Sequence, residues 1–206
     1  LDNPIFEPAG SDIEKDSVYI LNLHCLLGYF QNQMGTPIQL TVQHSAKFFG
    51  STSLVDKDAS TTKDVYVMQN YNEAVDNPIM YTIPDTAIVK VGTSNVLISV
   101  FAKKFSHRAK YIATRLDSLL QAQGKYLGGK LPVENYSFLV YMSDHDGLTG
   151  GFGALEHPYS SVYFMPEMTN EQLVPQLYEV AAHEFFHIVT PLAIHSEEIQ
   201  FFDYDQ

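Results

Sequence analysis

The chain has 206 residues, of which 45% are hydrophobic and 17% are charged. That composition is typical of a folded chain of one large or two small domains, and it excludes a disordered protein. The formal net charge of −12 argues against nucleic acid as a partner, because nucleic-acid phosphates would be repelled. No apolar run reaches the length of a bilayer, so no membrane span is predicted.

Cys25 is the only cysteine, so an internal disulfide cannot form. It lies in an apolar run typical of a strand, and we expect it to pack as a small hydrophobic residue. The chain begins with Leu1 rather than Met, as expected of a mature or truncated product. The sequence does not identify the compartment, and an extracytoplasmic bacterial space is favoured over the cytoplasm.

Residues 1–83 carry strand signals and no helical periodicity. Ile38, Leu40 and Val42 alternate with polar residues, as expected of a half-buried strand. Further strands are predicted within 18–30, at 65–68 and at 79–83, with an exposed loop at 54–63 and turns at 2–16 and 76–78. We predict a β-sandwich-like N-terminal domain, which would be incomplete if further strands precede it.

Residues 84–206 mix strand and helix signals. Strands are predicted at 87–91, 96–101, 136–142 and 160–165, and a loop rich in Gly and Asp at 144–152. Apolar residues recur at helical spacing from Phe105 to Leu120, and Gly124 offers a C-terminal stop. The whole chain is therefore predicted to be α+β, with a second domain at 84–206.

The sequence His183-Glu184-Phe185-Phe186-His187 reads H-E-x-x-H. On a helix, residues four apart lie on one face, so the two imidazoles can hold one Zn²⁺. Glu184 then lies beside the metal and can take a proton from metal-bound water. An alternative left open is two core histidines hydrogen-bonded to the backbone.

The residues around this motif indicate a mostly buried helix. Apolar residues recur at near-helical spacing from Leu173 to Val189. We expect the helix to start at Val174 or Pro175, after a capped turn at 169–172, and to end before Pro191.

A second motif is Gly153-Ala154-Leu155-Glu156-His157, in which Glu156 precedes His183 by 27 residues. Small residues let a peptide backbone approach the edge of a strand, and a carboxylate placed there can receive a substrate's α-ammonium group. The alternative is a Gly-rich hairpin with an exposed Glu.

The stretches 153–157 and 182–187 resemble the bacterial glycyl aminopeptidases, zinc peptidases of the gluzincin type whose pattern reads G-G-L-E-H and then H-E-x-x-H. The segment 71–81 is also similar to their domain junction. The resemblance implies an N-terminal β domain at 1–83 and the N-terminal half of a thermolysin-like catalytic domain at 84–206, and the family often adds a PDZ domain. Ala154 replaces the second Gly, and Ile188-Val189 stands where the family usually has Trp-Asn, which affects substrate preference more than metal binding.

By this resemblance His183 and His187 would be zinc ligands, and Glu184 would be the general base. Gluzincins take their third ligand, a Glu, from a second helix roughly 20 to 30 residues past the second His. The chain ends 19 residues past His187, and the Glu residues in between come too soon. We therefore expect the third ligand beyond Gln206.

The resemblance also gives roles to the second motif: Glu156 would bind the substrate's amino terminus, and Gly153 and Ala154 its main chain. The predicted function is zinc-dependent hydrolysis of peptides, as an aminopeptidase acting at free amino termini. Two alternatives stay open, a degenerate peptide-binding protein without activity and an endopeptidase.

Overall fold

The computed structural model describes residues 10–104, 108–144 and 152–189, which form eleven strands and three α-helices. The strands of the N-terminal part are β1 (Asp12–Glu14), β2 (Val18–Leu21), β3 (Ile38–Gln43), β4 (Phe49–Ser51), β5 (Lys63–Met68) and β6 (Ile79–Thr82). The other strands are β7 (Thr86–Val91), β8 (Ser94–Phe101), β9 (Asn135–Ser143), β10 (Gly153–His157) and β11 (Ser160–Pro166). The helices are α1 (Tyr71–Val75), α2 (Ala109–Tyr126) and α3 (Asn170–Phe186).

The N-terminal part is built from two antiparallel sheets. One has four strands in the order β1-β2-β6-β4, and the other is the pair β3-β5. In β3, Ile38, Leu40 and Val42 pack against the core between these sheets, while the alternating polar residues are exposed, as the alternation predicted. Buried side chains between the sheets come from β5, β6, helix α1 and the residue before β4: Tyr66, Met68, Ile79, Tyr81, Ala74 and Phe48. The predicted β-sandwich-like character is confirmed.

The remaining strands form a five-stranded sheet in the order β10-β11-β9-β8-β7. Strands β8, β9 and β11 are parallel, and the strands β7 and β10 at the two edges are antiparallel to their neighbours. Helices α2 and α3 pack on one face of this sheet. The chain is thus α+β, as predicted, and the small residues of the second motif lie on the edge strand β10.

The central strand β9 is buried on both faces, so its side chains alternate between two cores. Phe138 and Val140 face the helices and share a core with Phe185 of α3. Leu139 and Tyr141 face the N-terminal sheet and form a second core with residues of β2, β6, β8 and β11: Val18, Ile20, Met80, Phe101, Val162 and Phe164. We call this second cluster the inter-sheet core.

A polar contact also joins the two sheets. The Lys103 ammonium lies 2.9 Å from a carboxylate oxygen of Glu14, and the Tyr141 hydroxyl donates to the other oxygen of Glu14 at 2.5 Å. Burial and the neighbouring Glu14 charge raise the pKa of Asp12 in the same strand. The N-terminal sheet is therefore fixed to the second sheet by a shared apolar core and by charged hydrogen bonds at its rim.

Two predictions in the N-terminal part were wrong. The strand expected within 18–30 is limited to β2, because Asn22 then accepts a hydrogen bond from the His24 amide and starts a short 3₁₀ helix, Leu23–Cys25. Cys25 is exposed in that helix and does not pack in a core. Helix α1 was not predicted. It is capped by Asn70, whose side chain accepts from the Glu73 amide at 2.8 Å, and five residues are too few to show a helical period.

Two helix boundaries also differ from prediction. Helix α2 continues past Gly124, where a Cβ would collide with Val91, so this glycine permits close helix-sheet packing and does not stop the helix. Helix α3 begins at Asn170, because Thr169 and Gln172 form the capping box of the helix itself. Pro175 is accommodated inside it, at the loss of one backbone hydrogen bond.

Some predictions fall on parts of the chain that are not described. Most of the loop at 144–152 and the helix stop at Pro191 lie outside the described residues. The division into domains 1–83 and 84–206 stays a prediction. In the described part of the chain, no helix has both the length and the apolar character needed to cross a bilayer.

Candidate metal centre

The C-terminal turn of α3 brings two imidazoles together. The Nε2 atoms of His183 and His187 lie 3.2 Å apart, and their rings are inclined at 82°. Two nitrogen atoms that bind one tetrahedral Zn²⁺ at about 2.1 Å lie about 3.3 Å apart. The two rings therefore already have the spacing that a shared metal ion requires.

Glu184 lies between these histidines in sequence but points inward. Only 7% of its surface is exposed, and its Oε2 is buried with no hydrogen-bond partner among the described residues. A buried carboxylate oxygen without a donor is costly, since burial removes water and nothing replaces it. This atom is the clearest sign that a cation or another donor belongs beside α3.

Strand β10 carries Glu156 to the same place. Glu156 pairs in register with Ser161, whose hydroxyl bonds to the Tyr136 and Tyr163 side chains on the helix-bearing face of the sheet. Within the described ranges one group of acidic and imidazole side chains has ligand atoms that all lie within 4.8 Å of one another. It consists of Glu156, Glu184 and His187. We call Glu156, Glu184, His183 and His187 the α3–β10 cluster.

The charges of this cluster act on one another. Burial raises the pKa of Glu184, the nearby Glu156 carboxylate raises it further, and His183 and His187 oppose the shift. A raised pKa makes this carboxylate a stronger proton acceptor than a free glutamate. His157, the next residue of β10, is buried on the opposite face of the sheet, and burial lowers its pKa to about 4.

The residues present fit a divalent cation such as Zn²⁺. Two imidazole nitrogens and carboxylate oxygens form a donor set that zinc prefers. A cation would also give the buried Glu184 Oε2 the electropositive partner that it lacks. Whether zinc occupies this cluster, and the roles of its residues, stay predictions. The third ligand expected beyond Gln206 and the segment 190–206 lie outside the described residues.

Among the described residues, the edge of β10 is open at the start of the second motif. No atom of these residues lies within 4 Å of the position where a Cβ of Gly153 would be, and Ala154 is half-buried. A peptide backbone can therefore approach the strand here without meeting a side chain of Gly153. The small residues Gly153 and Ala154 predicted this accessibility, and the position of β10 at the edge of the described sheet agrees with it.

Three hydroxyl groups beneath the cluster were missed by the sequence analysis. The Tyr136 hydroxyl lies 3.1 Å from Ser161 Oγ and 3.4 Å from the Glu184 carbonyl oxygen, and Ser161 donates to Tyr163 at 2.9 Å. Tyr136 and Tyr163 are fully buried, and burial raises the pKa of both. The sequence did hint at such hydrogen bonds, because a tyrosine within an otherwise apolar, buried strand needs a hydrogen-bond partner for its hydroxyl.

Comparison with known proteins finds a family model for the N-terminal part and similar folds for most of the chain. Residues 7–83 match the family model described as the Peptidase M61 N-terminal domain. No curated protein matches the sequence. The fold is similar to that of an aminopeptidase N family protein from Idiomarina loihiensis, with a TM-score of 0.72 and 17% identity over 86% of this chain and 31% of that chain.

A second similar structure is the M1 zinc metallopeptidase from Deinococcus radiodurans, with a TM-score of 0.51 and 15% identity over 91% of this chain and 43% of that chain. At these identities the likeness is one of fold. The chain spans less than half the length of both proteins.

Proposed function

We propose that this chain forms part of a zinc peptidase that removes residues from the free amino terminus of peptides. The observation that carries the proposal is the convergence of Glu156, from an edge strand, with Glu184 and His187, from a helix. The Nε2 atom of His183 lies 3.2 Å from that of His187. The matching N-terminal family model and the two peptidase-like folds support the same class.

His183 and His187 are the residues that would hold the metal. Bound zinc supplies Lewis acidity, which polarises a carbonyl group and lowers the pKa of a coordinated water to about 7. Glu184 accepts the proton of the attacking water and passes it to the leaving amine. In the metal-free chain, burial and the Glu156 carboxylate raise the pKa of Glu184, which makes it a stronger proton acceptor.

Substrate orientation is assigned to β10. A peptide that lies along this edge can exchange backbone hydrogen bonds with Gly153 and Ala154, as an added strand does. Glu156 is exposed, and in this pose it receives the substrate's α-ammonium group. That contact sets the register, so cleavage takes place next to the amino terminus.

The test is the hydrolysis of aminoacyl reporter substrates by the zinc-loaded whole peptidase, of which this chain is proposed to be a part, and by its Glu184→Gln variant. We expect the variant to keep its zinc and to lose activity by about 100-fold or more. Glu179→Gln is a matched control, because Glu179 is exposed on the same helix and lies outside the cluster. Full activity of Glu184→Gln would rule out the mechanism.

Two further results would favour the alternative functions, a non-catalytic peptide-binding protein or an endopeptidase, over an aminopeptidase. Stoichiometric zinc with peptide binding but no hydrolysis by the wild-type protein would identify a non-catalytic peptide-binding protein. In an aminopeptidase, Glu156→Gln should harm cleavage of free-amine substrates far more than cleavage of amino-blocked ones. Equal loss on both substrates would favour an endopeptidase.

A further inference from the structure

The turn of α3 that carries the H-E-x-x-H motif is bonded from outside the helix by a side chain of α2. The Nε2 atom of Gln123 donates to the Ala182 carbonyl oxygen at 2.8 Å, and this oxygen belongs to the peptide group that joins Ala182 to His183. We infer that Gln123 is a positioning residue for the metal centre, because it fixes the backbone from which the His183 imidazole projects. This inference rests on the proposed zinc function and deepens it, since Gln123 acts on the geometry of the same site through the backbone of α3.

The Gln123 amide is not explained by stability alone. Its other polar atom, Oε1, is buried with no hydrogen-bond partner among the described residues. A buried acceptor without a donor opposes folding, and an apolar side chain of the same length would not carry that cost. What the amide contributes at this position is therefore its hydrogen bond to the motif turn.

A second contact holds the same stretch of backbone from the sheet. The Tyr136 hydroxyl of β9 donates to the Glu184 carbonyl oxygen at 3.4 Å. Residues two apart on an α-helix lie about 200° apart around its axis, so Ala182 and Glu184 are contacted from different sides. His183 and Glu184 thus lie between two peptide groups, one bonded to α2 and the other to β9.

These two contacts act where the backbone of α3 is least regular. The amides of His187, Ile188 and Val189 donate to carbonyl oxygens three residues earlier, at 3.2, 3.3 and 3.0 Å, which is the 3₁₀ pattern. Hydrogen bonds of a 3₁₀ turn have poorer geometry than those of an α-helix, and helix ends open more easily than helix interiors. Contacts from neighbouring elements are therefore needed to keep the Nε2 atoms of His183 and His187 at their 3.2 Å separation.

The loss of the Gln123 contact should affect the metal centre more than the binding of substrate. In the proposed function the peptide lies along β10, whereas Gln123 bonds to α3. A small displacement of catalytic groups lowers the rate steeply. We therefore expect kcat to fall while KM stays close to the wild-type value.

The experiment compares Gln123→Met with Gln121→Met in the whole peptidase. Gln121 is the matched control, because it lies on the same helix and its Nε2 atom donates to the Lys90 carbonyl oxygen at 2.7 Å, on β7 and not on α3. Coordination is recorded by the visible absorption of the Co²⁺-substituted protein, hydrolysis with an aminoacyl p-nitroanilide, and stability by urea unfolding.

We expect Gln123→Met to change the Co²⁺ spectrum and to lower kcat by about 10-fold. Its KM should stay within about 2-fold of the wild-type value, and its midpoint of urea unfolding should not fall. Tyr136→Phe, which removes the second contact, should change the Co²⁺ spectrum as well. Gln121→Met should alter neither the spectrum nor kcat.

The outcomes separate this inference from the proposed function. A wild-type Co²⁺ spectrum for Gln123→Met would overturn the positioning role, even if kcat fell together with the unfolding midpoint, and so would equal changes in the Gln121→Met control. If the wild-type peptidase binds Zn²⁺ but cleaves no peptide, the proposed function fails, and the Co²⁺ spectrum of Gln123→Met still decides the role of Gln123. If the wild-type peptidase binds neither metal, both fail.

Discussion

The hydroxyl oxygen of Tyr136 lies 3.4 Å from the carbonyl oxygen of Glu184, so the strand beneath α3 contacts the backbone of the motif helix. Tyr136→Phe removes this hydroxyl and its contact with Ser161, while the ring stays packed. We expect a loss of about 1–2 kcal/mol in the free energy of unfolding, measured by urea denaturation. Tyr126→Phe is the control. Tyr126 is 77% exposed, and its variant should unfold like the wild type.

Two neighbouring phenylalanines should respond very differently to the same change. Phe185 is fully buried, with its ring 4.9 Å from Tyr136 and 5.9 Å from Phe138, whereas Phe186 is 37% exposed. Phe185→Ala opens a cavity between helix and sheet and should cost roughly 3–5 kcal/mol. Phe186→Ala should cost far less. Equal losses in denaturant unfolding would mean that α3 does not face the sheet as described.

Gly50 lies where no side chain fits. A Cβ at this position would come within 2.7 Å of Asp64 Oδ2 and 2.8 Å of the Tyr66 hydroxyl. Asp64 Oδ2 accepts hydrogen bonds from Tyr66 and Tyr81 at 3.0 and 2.7 Å, so the glycine leaves room for a buried polar network. We expect Gly50→Ala to destabilise the protein by about 1–3 kcal/mol in thermal or urea unfolding. Gly28 has no atom of the described residues within 4 Å of its Cβ position, so Gly28→Ala should be close to neutral.

Asp76 should make stability fall as pH rises. Burial raises the pKa of Asp76 from 3.8 to about 6. The folded chain therefore binds this proton more tightly than the unfolded chain, and stability decreases between about pH 4 and pH 6. Asp76→Asn should stabilise the protein at pH 7 by up to about 3 kcal/mol and have little effect below pH 4.

The measurement for Asp76 is urea unfolding at both pH values. Asp117→Asn, a change at an exposed position on α2, serves as control for general charge effects. An Asp76→Asn gain that is the same at pH 4 and pH 7 would contradict a cause based on ionisation.

Local patterns predicted much of this structure. The alternation of Ile38, Leu40 and Val42 predicted strand β3, and the near-helical spacing up to Val189 predicted the motif helix. Both predictions were possible because a strand or helix with one buried face repeats its apolar residues at its own period. The start of α3 was misplaced, because a capping box at Thr169 determines the first turn more strongly than Pro175 does.

What the sequence could not show depends on contacts between distant residues. Nothing near Tyr136 in the chain indicates that its hydroxyl meets Glu184, 48 residues away. The approach of Glu156 to His187 likewise follows from the antiparallel pairing of β10 with β11 and from the packing of α3, and neither leaves a local period. Sequence spacing identified the candidate site residues, and tertiary packing determines which of them meet.

The inter-sheet core has a consequence for limited proteolysis. The connection between β6 and β7 is exposed at Ile83, at 61%, and offers a protease a site between the two sheets. The inter-sheet core joins the segments on the two sides of this connection, and the Lys103–Glu14 ion pair joins them as well. A single cut there should therefore leave two fragments that remain associated. They should elute together in native gel filtration and separate only in denaturant, so the nicked protein would behave as a non-covalent heterodimer made from one chain.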